Sequence, residues 1–183
     1  MTATLGVGRT MAARDPVPAA ALLALALVIA FLQMNGVIDI LVTPASDVWV
    51  MDRGEILDKT FLVKMCPNGT RLLQVRFGQS GALGINPKTG VIWAPEMNDS
   101  EGVNQDQIVR IAQDGTIVTR LQGFRTETLA VDSRDGSVWF ALPNQAQLVK
   151  LNSNGEVLLS VPGFSTTASI AVDPRDGDVW VAE

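Results

Sequence analysis

The 183-residue chain has no histidine, no tyrosine and a single cysteine. Without histidine it lacks the one side chain whose ordinary pKa falls between about 5 and 8. Ser-His-Asp triads and the usual zinc ligand sets are therefore excluded from these residues. One cysteine, Cys66, permits no internal disulfide. It closes a strand-like run, where packing explains it better than redox chemistry. There is also no Gly-rich phosphate loop. Basic side chains are few and scattered singly. Removing Arg9, Arg14 and Asp15 from the totals of 14 basic and 19 acidic residues leaves 12 and 18 after residue 38, a formal charge of −6. Nucleic acid requires a clustered positive face, so it is not an expected partner.

What the chain does have is repetition. Its four tryptophans, Trp49, Trp93, Trp139 and Trp180, lie 44, 46 and 41 residues apart, each in a similar phrase: "SDVWVMD", "GVIWAPE", "GSVWFAL", "GDVWVAE". Two further anchors keep step. The turns "PNG", "QDG" and "SNG" place Gly69, Gly115 and Gly155 at spacings of 46 and 40, and Phe77, Phe124 and Phe164 recur at 47 and 40. Strand-like runs flank each Gly turn: "FLVKMC" and "TRLLQVRF", "QIVRIA" and "TIVTRLQGF", "QLVKLN" and "EVLLSVPGF". Each period thus predicts four short strands, A to D. Strand A is "LGI", "LAV" or "IAV", strand B carries the Trp, and an Asn-Gly or Asp-Gly hairpin turn joins C to D. Pro, Asp and Gly in "VDPRDGDVW" supply the tight A–B turn.

Four strands per ~40–50 residues is the period of a propeller blade. The fold class expected is all-β: a β-propeller of four-stranded antiparallel blades, about three complete and half of another, in an incomplete ring, preceded by one N-terminal apolar helix, with helix confined to the region before Asn35. Such a blade buries its faces only against its neighbours, so the tryptophans are expected between blades. The phrases "IVRIAQDGTIVTRLQGF…TLAVDSRDGSVWFAL" and "LVKLNSNGEVLLSVPGF…SIAVDPRDGDVWVAE" resemble NHL-type β-propeller repeats. That group has distant relatives in the gluconolactonases and virginiamycin B lyases. The resemblance covers Ile38 to Glu183, with departures at "VTPASDVWVMD", which lacks the turn Asp and Gly, and at the long connection "APEMNDSEGVNQDQ". It implies that the B–C loops rim the mouth of a central channel. Virginiamycin B lyases rely on histidines, so their chemistry does not transfer. A strand B without C and D after it leads us to expect repeats beyond Glu183 in a longer reading frame; self-association is the other way to complete a ring.

The N-terminal third reads differently. Residues 1–16 form a basic-leaning leader. Residues 17–37 form a transmembrane anchor or signal peptide, and 38–183 the partial propeller. No charge falls between Val17 and Ile38, a run of 22 residues, enough to cross a bilayer as a helix. Arg9 and Arg14 precede it, and Asp39, Asp47 and Asp52 follow. That asymmetry favours a cytoplasmic N-terminus and an exported remainder. Two outcomes stand side by side: an uncleaved anchor, with the propeller held at the membrane outside the cytoplasm, or cleavage after Val28-Ile29-Ala30, giving a secreted or periplasmic product.

Site candidates are few. Asp52, Glu96 and Glu183 share one register, three residues after a Trp; Leu142 breaks the series. Carboxylates at a channel mouth suit Ca²⁺, a hard cation that takes oxygen ligands, as the gluconolactonase resemblance implies. The same acids would also serve as caps for backbone N–H groups of their loops. The polar connection Pro95–Asp106 suits a recognition loop. Asn68 ("NGT") and Asn98 ("NDS") fit the glycosylation sequon. Two functions follow. One is a noncatalytic module that binds a protein or glycan ligand through its channel-mouth loops, with no cofactor. The other is a metal-dependent hydrolase or lactonase whose site further blades complete. Export is directly testable: residues 1–38 fused to a periplasmic reporter should carry it across the membrane, and Leu25→Arg should block this. Equal reporter activity with and without the substitution would refute the targeting assignment.

Overall fold

The alternation of β-branched and polar residues around each Trp becomes a set of antiparallel meanders in a computed structural model. The structure describes residues 36–43, 47–53, 60–97 and 106–183. The segments assigned to the leader and the apolar anchor, through residue 35, lie outside the described residues, as do Asn98 and most of the Pro95–Asp106 connection. No helix among the described residues is long and apolar enough to cross a membrane.

The first sheet comprises β1 (Val37–Val42), β2 (Val48–Arg53), β3 (Thr60–Met65) and β4 (Arg71–Phe77). The second comprises β5 (Gly84–Ile85), β6 (Ile92–Glu96), β7 (Gln107–Ile111) and β8 (Ile117–Gln122). The third comprises β9 (Leu129–Val131), β10 (Val138–Leu142), β11 (Gln147–Leu151) and β12 (Val157–Pro162). A two-stranded sheet of β13 (Ser169–Val172) and β14 (Val179–Ala182) follows. Strand order is sequential in every sheet, and all pairing is antiparallel. Strands β5, β9 and β13, each first in its sheet, lie side by side. These are propeller-like blades around a common axis, with A innermost and D outermost. The first strand takes in Val37, one residue earlier than the boundary read from sequence.

The Gly turns hold the outer hairpins. Gly69, Gly115 and Gly155 have φ of 84°, 86° and 97°, and each follows a register shift one turn earlier, at Lys64/Met65, Arg110/Ile111 and Lys150/Leu151. A type I turn closed by a left-handed residue and a bulge has this form. Gly155 is also a packing requirement, since a Cβ there would lie 2.8 Å from Leu121 Cδ1 of the preceding sheet. The turns themselves are pinned by side chains: Asn68 Oδ1 accepts from Thr70 N at 3.0 Å, and Asp114 Oδ1 from Thr116 N at 2.9 Å.

The core lies between sheets. Trp49, Met51, Leu62 and Phe77 of the first pack against Ile92, Ala94, Val109 and Ile111 of the second. Trp93 and Ile108 of the second pack against Leu129, Val138 and Phe140 of the third. Trp139 and Leu148 of the third meet Ile170 of the fourth. Lysines on the C strands cover two of these rings: Lys64 Nζ and Lys150 Nζ each lie 5.4 Å from the centroids of Trp49 and Trp139, within cation–π range.

A second set of ties runs along the A–B turns. Lys88 Nζ donates to the Arg134 carbonyl of the next sheet at 2.7 Å. Arg134, one repeat on, donates to the Asp176 carbonyl and is chelated by Asp132, which is fully buried. Hydrogen bonding from the Arg134 guanidinium holds the Asp132 carboxyl below the usual carboxylate range. Arg175 is the next in register; it folds back on its own Asp173 and stays exposed.

Two expectations need correction. Helix was expected only before Asn35, yet a 3₁₀ turn spans Pro143–Gln145. Pro143 is preset for a first helical position, and Ala146, left-handed at φ 51°, closes the turn by donating to Pro143 O. Trp180 was expected in an inter-blade core, but it is 70% exposed, against 0%, 1% and 9% for Trp49, Trp93 and Trp139. The reason is geometric: each Trp is covered by the sheet that follows it, and no described sheet follows β14. The contrast predicts unequal effects. Trp93→Ala should cost roughly 3–5 kcal/mol, as large core truncations do, whereas Trp180→Ala should stay within about 0.5 kcal/mol. Urea midpoints of the two variants check this, and equal losses would contradict the inter-sheet assignment.

Candidate functional site: a polar cavity at the inner ends of the sheets

A cavity of about 690 Å³ opens where the D–A linkers and B–C connections of successive sheets converge. The first sheet contributes Ile38, Arg53 and Thr60, and the linker to the second contributes Gln79, Ser80 and Gly81. The linker from the second sheet to the third adds Arg125, Thr126, Glu127 and Thr128. Pro143 and Asn144 belong to the 3₁₀ turn, and Thr167 to the last linker. The lining thus mixes hydroxyls, amides, two guanidiniums and one carboxylate with the apolar side chains of Ile38, Met97, Ala141, Pro143 and Ala168. Arg125 is 3.8 Å from Asp106 Oδ2, so part of its charge is met at the rim.

The acids singled out from sequence lie near this cavity but outside its lining. Glu96 is buried, at 1% exposure. Its Oε1 accepts from Gly78 N at 2.8 Å, and its Oε2 accepts from Gln107 Nε2 at 2.7 Å and Arg120 Nε at 3.4 Å. Asp52 is buried too, and its Oδ1 accepts from Gly36 N at 3.2 Å. Both side chains therefore tie the end of strand B to the backbone that leads into strand A of the same sheet. Asp39 does comparable work between sheets, its Oδ2 accepting from Leu83 N at 2.7 Å. Glu183 is exposed just past β14, and Leu142, at the equivalent position of the third sheet, is buried. Asp52 and Glu96 belong to different sheets, and each is engaged by a backbone donor of its own. Among the described residues no three His, Cys, Asp or Glu side chains come together as a metal site. The backbone donors on Asp52 and Glu96 account for these two carboxylates without the Ca²⁺ that the register had raised. Cys66 and Asn68 lie at a C–D turn, away from the cavity lining.

The linker hydroxyls went unremarked in the sequence, although a signal is there. Ser80, Thr126 and Thr167 each stand three residues before the first buried aliphatic side chain of their inner strand: Leu83, Leu129 and Ile170. Ser80 Oγ donates to Ala82 O at 3.4 Å and Thr126 Oγ1 to Thr128 O at 2.9 Å, the same local turn in successive repeats. The Thr167 hydroxyl is buried with no such partner. These turns aim the linkers at the axis.

Removal of the Glu96 charge tests how the site is held. Glu96→Gln leaves Gln107 Nε2 facing another amide and Arg120 without its ion pair, so it should destabilise the fold by about 1–3 kcal/mol. Urea unfolding measures the loss. No change would mean that Glu96 is not part of the scaffold.

No family model matches the chain, and no curated protein matches it. Solved structures do. A gluconolactonase from Xanthomonas campestris is 17% identical over 81% of this chain and 54% of its own, with a TM-score of 0.58. A catalytically inactive virginiamycin B lyase from Staphylococcus aureus is 15% identical over 80% and 48%, with a TM-score of 0.56. A chain of a nidogen/laminin complex is 13% identical over 80% and 56%, with a TM-score of 0.59. The chain spans about half the length of each. At these identities the likeness concerns the fold alone: the described residues form propeller-like antiparallel sheets, three of them four-stranded.

Proposed function

We propose that this chain is an NHL-type propeller module that binds a protein or glycan ligand at the mouth of its axial cavity and performs no chemistry of its own. The observation that carries the proposal is the cavity's chemistry. Its hydrogen-bonding groups are Arg53, Arg125, Glu127, Gln79, Asn144 and the linker hydroxyls, with two donor-only guanidiniums against one carboxylate, which suits a ligand carrying hydroxyl or carboxylate oxygens. None of its side chains has an ordinary pKa near neutrality, where an effective general acid or base needs one. Asp52 and Glu96, beside the lining, have backbone N–H partners, and Glu127 is the one carboxylate within it. The uncharged run Val17–Ile38 supports placement of the module outside the cytoplasm, at the membrane or released from it.

Calorimetry with two probes tests the proposal: a uronic-acid oligosaccharide and a polyglutamate peptide. One of them should bind, and Arg125→Ala should weaken that binding by about tenfold, the effect of a moderate hot spot. Turnover of a sugar lactone, lost in Glu127→Gln, would overturn the reading in favour of a lactonase-like hydrolase. Binding of neither probe would remove the cavity as the ligand site.

A further inference from the structure

The uncharged run Val17–Ile38 and the cavity share a residue: Ile38 ends the one and lines the other. The backbone just before it is fastened at the mouth. Gly36 O accepts from Arg53 N at 2.7 Å, and Gly36 N donates to Asp52 Oδ1 at 3.2 Å. The second sheet is entered in the same way. Gln79 O accepts from Met97 N at 2.7 Å, and Gly78 N donates to Glu96 Oε1 at 2.8 Å. Arg53, Gln79 and Met97 all line the cavity. The chain thus enters the first sheet where a D–A linker enters the second, at the cavity end of the strands.

Covalent geometry limits how far the mouth can stand from the apolar stretch Ala19–Leu32. Leu32 is four residues before Gly36. An extended chain advances at most ~3.3–3.6 Å per residue, so four steps reach about 14 Å whatever path they take. The headgroup layer of a bilayer is about 5–8 Å deep on each side of the hydrocarbon core. The opposite end of the sheets is farther away. Cys66 lies six residues beyond Thr60, a lining residue at the start of β3, and six steps of a strand span about 20 Å.

A mouth tethered that close to a bilayer leaves little room for a soluble globular partner, whereas a ligand already in the membrane plane can enter from the side. The lining chooses among membrane components. Ser80, Thr126, Gln79 and Asn144 both donate and accept, as the hydroxyls of a sugar do, and Ile38 and Pro143 offer apolar contact for its C–H face. Arg53 and Arg125 outnumber Glu127, which favours an acidic sugar. A phosphate alone would use the charge and leave the alcohols and amides without partners.

We propose that the apolar run is retained as an anchor, and that the cavity faces the bilayer and binds an acidic saccharide borne by a membrane lipid. This rests on the ligand-binding reading of the cavity and names its ligand. Arg53 and Arg125 meet the carboxylate, the linker hydroxyls and the amides meet the sugar hydroxyls, and the acyl chains stay in the membrane.

The full chain, reconstituted in phosphatidylcholine nanodiscs, supports two measurements. A fluorophore on Asn144→Cys, in a Cys66→Ser background, should be strongly quenched by a quencher carried on lipid headgroups. The same fluorophore on Cys66 should be quenched several-fold less. Equal quenching, or a mature chain that lacks Ala19–Leu32, would overturn the orientation and the proposal with it. In the second measurement, a uronosyl diacylglycerol placed in the discs competes with a fluorescent uronic-acid oligosaccharide. The lipid should displace the oligosaccharide, and Arg125→Ala should weaken both by about tenfold, the mark of a hot-spot residue. Equal displacement by phosphatidylglycerol would mean that charge alone is read, and would overturn the saccharide assignment. An oligosaccharide that binds but is not displaced by the lipid would overturn this inference and leave the cavity a site for soluble ligands. An oligosaccharide that does not bind at all would sink the proposal one step earlier, at the cavity's affinity for saccharide.

Discussion

Strands β2, β6 and β10 are buried along almost their whole length, on both faces. That constraint organises everything else in the chain. An antiparallel sheet with one wet face needs only alternate apolar residues, whereas these strands need apolar or hydrogen-bonded residues throughout. Their burial comes from adjacent sheets, with Trp and aliphatic side chains of one sheet packed on the inner strands of the next. Stability in such an array is the sum of each sheet's own terms and those it shares with its neighbours. The period of the sequence follows from this, because every sheet must offer the same complementary face.

The double burial also explains the carboxylates. In the first two sheets a polar group at the end of strand B is out of water whatever its chemistry, and it must find partners there. Glu96 meets three donors and Asp52 at least one. In the third sheet the problem is solved by substitution: Leu142 is apolar, and the chain turns into the 3₁₀ segment started by Pro143. The register of acids three residues after a Trp is thus accounted for, at Asp52 and Glu96, by burial and backbone partners. Spacing along a repeat shows that positions are equivalent. It does not show that their side chains converge.

The fold was legible because its anchors are local. A Trp flanked by β-branched residues, a Gly after Asn or Asp, and an aliphatic–Val–Lys/Arg–aliphatic run each specify structure within a few residues. Even β5, only two residues long, was placed by its phrase "LGI". The environment of Trp180 was not legible in the same way, since burial belongs to the neighbouring sheet and not to the phrase "GDVWVAE". The cavity was the least legible part. It is lined mainly by D–A linkers, whose only shared mark is a hydroxyl three residues before an aliphatic one, a pattern too common to stand out without coordinates. The charged lining residues follow no repeat at all: Arg53, Arg125 and Glu127 sit at positions occupied by other types in the remaining sheets.

The proposed ligand site draws on that irregularity within the repeat. Positions that face a neighbouring sheet are constrained from both sides, so the repeat holds them nearly constant: Trp or Phe, Val, Ile, Leu, and the turn glycines. Positions at the inner ends of the sheets face the axis, where no partner strand dictates size or charge. A rigid array thus presents loops that are free to differ from one repeat to the next, the arrangement in which recognition residues concentrate. The ties that run between A–B turns and between outer hairpins fix the sheets relative to one another without touching the axis. Lys88 on the Arg134 carbonyl and Leu121 on Gly155 are two of them. Chemistry at the cavity can therefore change from one such chain to another while the packing that positions it stays the same, which is why likeness of fold to a lactonase or a lyase carries no activity with it.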